Sequence, residues 1–124
     1  MVTLDRPTAT PQAVKQALED LDHPAALSLN PLAHLPVVTP NATRELRGLL
    51  VDVVLELADS RSPRDAESGR VLFHYYVKKT GSHELIAERL ILTRPTYFRR
   101  LNEGYALVAG LLNGVSDFAI WFRL

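Results

Sequence analysis

The chain has 124 residues, 47% of them hydrophobic and 23% charged, with 14 Lys/Arg balanced by 14 Asp/Glu. Those values describe one globular domain, large enough for a real core but too small for two. The chain has no cysteine, which excludes disulfides, thiol catalysis and thiolate metal sites and fits a reducing cytoplasm. The start, Met-Val-Thr-Leu-Asp-Arg-Pro-Thr, lacks the basic-then-apolar pattern of a secretory signal. The strongest apolar run, within residues 49–58, is interrupted by Asp52 and Glu56, far short of a membrane span.

Residues 1–9, with one proline and two threonines, read as a loose arm before a single domain over 10–124. Thr10-Pro11 is an N-cap followed by proline at the first helical position, and a helix over about 11–22 carries Val14, Ala17, Leu18 and Leu21 on one face. His23-Pro24 ends it. Residues 25–42 are apolar but punctuated by prolines, which predicts a short helical turn and an extended packed segment. Asn41 or Thr43 then caps a helix over about 43–59. Leu46, Leu49, Leu50, Val53, Val54 and Leu57 make its broad apolar face, widened by Val51 and Leu55, so this is expected to be the most buried helix. Ser62-Pro63 with Asp65 opens another helix, predicted to run to about Lys79, with Gly69 a reason for a later start. Thr80-Gly81 terminates it. The absence of alternating patterns and the short connections predict an all-α helical bundle.

The zero net charge hides an asymmetry. Residues 1–60 hold 4 Lys/Arg and 8 Asp/Glu, residues 61–100 hold 9 and 4, and residues 101–124 hold 1 and 2. Affinity for polyanions follows local basic density rather than total charge, and the basic third contains a candidate helix-turn-helix over 82–112. Ser82 caps its first helix, which places Leu85, Ile86, Ala87 and Leu90 inward, with Ala87 at the close helix crossing. Leu92 plugs the turn and Thr93 caps the second helix, whose inward stripe is Tyr97, Leu101, Tyr105, Val108 and Leu112. Arg94, Thr96, Arg99, Arg100 and Glu103 are left to project outward, where guanidinium and hydroxyl groups suit phosphates and base edges.

The segment from Leu72 to Leu101 resembles the fourth conserved region of bacterial sigma factors and the sigma-like helix-turn-helix domains of transcription regulators. The likeness rests on a helix ending in Tyr76-Val77 with a Lys/Gly turn, then Ile86-Ala87-Glu88-Arg89-Leu90, the turn at Leu92-Thr93, and Thr96 with Arg100-Leu101. Gly104, Val108, Leu111 and Leu112 fall where that family's long second helix packs back. The upstream Leu21-Asp-His-Pro and Asn30-Pro-Leu-Ala-His-Leu resemble a segment that precedes such domains in some multidomain bacterial regulators. The resemblance covers about 40 residues and implies a transcription regulator binding double-stranded DNA. The second helix would enter the major groove, with Thr93, Arg94, Thr96, Arg99 and Arg100 facing DNA and Lys79 and Ser82 contacting its backbone. The family usually has glycine in the turn where this chain has Ile91, a β-branched residue for which positive φ costs on the order of 1–2 kcal/mol. The turn is therefore expected to shift.

The competing class is a protein-interaction or dimerisation module. The C-terminal Phe118, Ile120, Trp121, Phe122 and Leu124 form an apolar cluster suited to a homodimer interface or to docking on a further domain, on a helix capped by Ser116 or, second, a short strand. His23, His34, His74 and His83 have no ligand spacing between them, so no metal or other cofactor is expected. Asp52, Glu56 and Asp59 read as the wet face of a helix, and no catalytic or phosphate-loop motif points to an enzyme.

Overall fold

The computed structural model describes the backbone of residues 8–35 and 42–123, and the side chains of residues 8–35 and 46–114. Six α-helices account for most of it, with no strand among the described residues: α1 (Pro11–Glu19), α2 (Pro24–Ser28), α3 (Ala42–Ala58), α4 (Pro63–Leu72), α5 (His83–Arg89) and α6 (Arg94–Arg123). A 3-10 turn, Pro31–His34, follows α2, and a π-helical turn, Phe73–Val77, extends α4. The all-helical class expected from patterning is what is found.

Local signals start the helices where the sequence places them. Thr10 accepts the Ala13 amide (3.2 Å) and Ser62 that of Asp65 (3.4 Å), with proline at the first position of both helices. Asn30 is buried and bonded at both ends: its side-chain carbonyl accepts the Leu32 amide and its amide group donates to the Ala13 carbonyl, tying the 3-10 turn to α1. Of the two caps proposed for α3, Asn41 lies outside the described residues and Thr43 falls inside the helix. Ala9, expected in a loose arm, is buried: Asn113 accepts its amide (2.6 Å) and donates to its carbonyl (3.0 Å). The described part of the arm is thereby pinned to α6.

The core is one cluster assembled on α3, α4 and α6. Leu46, Leu50, Val53, Val54 and Leu57 enter it from α3, and Tyr97, Leu101, Tyr105, Val108 and Leu112 from α6, the stripe read from the sequence. Leu55 departs from expectation and stays 45% exposed. Gly69 does not delay α4. A Cβ there would stand 2.3 Å from the Ala58 backbone nitrogen, so its missing side chain lets α3 and α4 backbones touch. Gly104 similarly admits Leu72, whose Cδ1 would lie 2.9 Å from an added Cβ.

Two predicted ends move. The helix opened at Ser62 closes as a π turn, with the Lys78 amide donating to the Phe73 carbonyl, and Lys79 turns the chain at φ 56°. The last helix does not break before a new one at Ser116; α6 runs unbroken through that position to Arg123.

Candidate nucleic-acid interface

The Leu90–Thr93 turn between α5 and α6 is a complete glycine-free C-cap. The Leu92 amide donates to the Ala87 carbonyl (2.9 Å) and the Ile91 amide to that of Glu88 (3.1 Å), the paired bonds of a Schellman motif. Such a motif requires a left-handed residue after the cap, and Ile91 supplies it at φ 59° with its side chain 90% exposed. The expected shift of the turn is therefore not seen. The chain keeps the conformation that glycine favours and accepts the strain.

Thr93 caps α6. Its hydroxyl oxygen accepts the Thr96 amide (3.4 Å) while its hydroxyl donates to Thr96 Oγ1 (3.0 Å), and the Tyr97 amide donates to its carbonyl (2.8 Å). Ser82 caps α5 by accepting the Leu85 amide at 3.1 Å. Both capping residues are exposed at helix starts, where amide dipoles favour an anion.

Beneath this corner lies an aromatic nest. His83 stacks on Tyr75 with centroids 3.8 Å apart, meets Tyr97 and Phe98 edge-on, and accepts the Tyr97 hydroxyl at Nδ1 (2.7 Å) when neutral. Burial pushes the His83 pKa down and that of Tyr97 well above its usual value. Arg94 sits 5.5 Å above the Phe98 ring and 3.5 Å from Glu84, with its side chain 72% exposed. His83, Glu84, Ala87, Leu92, Arg94 and Phe98 line a small cavity of about 190 Å³ there.

The basic residues inferred for DNA contact separate into two groups. Arg94 and Arg99 are exposed on the first two turns of α6, together with Thr93, and Arg99 makes no ion pair among the described residues. Thr96 is half-buried. Arg100, expected to project outward, turns against α4. Its Nε lies 2.8 Å from Glu67 and its NH1 3.5 Å from Glu103, leaving the side chain 15% exposed. Arg64 completes the network by a two-pronged contact with Glu103, which holds the Glu103 carboxyl below its ordinary pKa. Arg100 is thereby a brace between α4 and α6. Lys79 is likewise engaged: it pairs with Asp22, which also holds Arg47 at 3.2 Å, and these contacts lower the Asp22 pKa.

The apolar cluster Phe118, Ile120, Trp121, Phe122 and Leu124 lies outside the described side chains. Among the described residues no group of acids and histidines has the arrangement of a metal site, and no helix is long and apolar enough to cross a membrane.

Sequence reading missed a second basic surface. Arg70, Lys78 and Arg89 are exposed around half-buried His74. The first two share a helix with His74 at four-residue spacing, a regularity visible in the sequence; Arg89 comes from α5, which only packing could place there.

The chain matches no family model, no characterised protein and no solved structure in the three comparisons made.

Proposed function

We propose that the protein binds double-stranded DNA through the α5–α6 corner, as a sigma-like helix-turn-helix transcription regulator or a domain of one. The observation that carries this reading is the turn itself. A strained left-handed Ile91 is retained at the joint, holding the Thr93-capped start of α6 and its exposed Arg94 and Arg99 clear of the core. Strain of this kind persists where the arrangement it enforces is useful. In this arrangement Arg99 is the principal base-reading candidate and Arg94 a second, while Thr93 and Ser82 offer hydroxyls to flanking phosphates. Arg100, held between α4 and α6, and Lys79, paired with Asp22, are engaged with carboxylates and are not assigned to DNA contact.

The test is duplex selection from a random pool, followed by affinity measurement on the enriched site. Arg99→Ala is expected to cost about 1–3 kcal/mol and to relax preference at one position, with the melting temperature unchanged. A chain that enriches no sequence, or an Arg94→Ala/Arg99→Ala variant with parental affinity and preference, overturns the assignment.

A further inference from the structure

Arg47, Arg64, Lys79 and Arg100 are held in ion pairs, and Arg94 lies 3.5 Å from Glu84 with its side chain 72% exposed. Among the described residues Arg70, Lys78 and Arg89, like Lys15, Arg61 and Arg99, have no carboxylate within ion-pair distance, and all are exposed. The fold gathers the first three. Arg70, His74 and Lys78 follow one another at four-residue steps on the continuous α4–π segment, and α5, which ends at Arg89, packs against that π turn.

The π turn contributes to this alignment. Along an α-helix of 3.6 residues per turn, side chains at four-residue steps drift round the axis. A π turn, closed here by the Lys78 amide on the Phe73 carbonyl, holds more residues and takes up part of that drift. The result is a straighter ridge ending in two tethers, the Thr80 amide on the His74 carbonyl (2.9 Å) and Thr80 Oγ1 at 3.1 Å from His74 Nδ1. The three charges acting on the His74 ring, from Lys78, Arg89 and Arg70, are all positive, and with burial they depress its pKa. Holding three like charges around one imidazole is unfavourable in the free protein, and a bound polyanion relieves it.

We infer that Arg70, Lys78 and Arg89 form a phosphate-gripping patch for the sugar-phosphate backbone of duplex DNA, flanking the groove entered by α6. The inference rests on the DNA-binding reading and deepens it. Arg89 is four residues from Thr93, at most about 14 Å of chain. With the start of α6 in a major groove roughly 12 Å wide, Arg89 is within reach of the backbone at the groove edge, and Arg70 and Lys78 extend the patch along α4 and the π turn. Backbone contacts of this sort set register and carry no sequence information.

The experiment is the salt dependence of binding by the full chain to its selected duplex and to mixed-sequence duplex, over roughly 50–200 mM salt. The variants are Arg70→Ala/Lys78→Ala/Arg89→Ala, Arg70→Lys/Arg89→Lys and Arg94→Ala/Arg99→Ala. The triple alanine variant is expected to weaken binding equally on both duplexes and to reduce the log–log salt slope by roughly three, about 0.9 per lost phosphate contact. The lysine variant keeps the parental slope. His74, followed by NMR in the parent, titrates at higher pH in the complex than in the free protein. A triple alanine variant with parental slope and affinity refutes the patch, and if Arg94→Ala/Arg99→Ala still abolishes preference, the α6 reading survives without it. Loss of slope in the triple variant with no effect of Arg94→Ala/Arg99→Ala supports the patch and overturns the α6 reading. A parent that binds neither duplex overturns both.

Discussion

Replacing Ile91 by glycine should stabilise this protein, an unusual expectation for removing a large apolar residue. The left-handed backbone at φ 59° costs an L-residue about 1–2 kcal/mol, and the β-branch puts isoleucine near the upper end. Glycine removes that cost but adds about 0.5–1 kcal/mol of chain entropy to be lost on folding. The side chain is 90% exposed, so little burial is forfeited: a tenth of a full transfer is about 0.2–0.3 kcal/mol. The expected net gain is about 0.5–1 kcal/mol, or roughly 2–5 °C in Tm for a chain of this size. Calorimetry and urea unfolding of parent, Ile91→Gly, Ile91→Asn and Ile91→Ala would measure it. Asparagine tolerates the left-handed region better than alanine does, so the order should be glycine, asparagine, alanine. Alanine, which keeps a Cβ, should recover little. Ile91→Gly no more stable than Ile91→Ala would refute the strain argument, and a loss above about 1 kcal/mol would show that the Ile91 side chain makes favourable contacts.

Gly69→Ala should be severely destabilising, because its Cβ would meet the α3 backbone 2.3 Å away; a denaturation midpoint within error of the parent would contradict the close crossing. Arg100→Ala should cost more than Arg99→Ala in thermal melts, on the order of 1–3 kcal/mol, since it strands Glu67 in a partly buried network; equal losses would place both arginines in solvent. The pH dependence follows from His74 and His83, whose folded pKa values are depressed by burial. The unfolded chain then binds more protons, so their contribution is fully present above the ordinary histidine value and is lost as pH falls through the lower folded values. Urea midpoints should therefore drop between about pH 7 and 5, and His74→Gln/His83→Gln should flatten that change; an undiminished slope in the double variant would assign it elsewhere.

Much of the fold was legible because its signals are local. Thr10, Ser62, Ser82 and Thr93 each satisfy the amide three residues ahead, and the α3 and α6 stripes repeat at helical spacing, so neighbouring residues suffice to place these helices. The start of α5, the turn after it and the start of α6 were legible for the same reason, including Ile91 as the discordant residue of that turn. Tertiary packing decided what no local pattern encodes. Arg100 looked exposed because its partner Glu67 lies 33 residues away, and Lys79 looked available because Asp22 is 57 residues away. Gly69 looked like a reason for a later helix start until α3 was laid across it, and Arg89 joined Arg70 and Lys78 only when α5 folded against the π turn. Ile91 marks the boundary between the two. Its own conformational preference opposes the left-handed turn, and the hydrogen bonds of α5 together with the docked start of α6 hold it there.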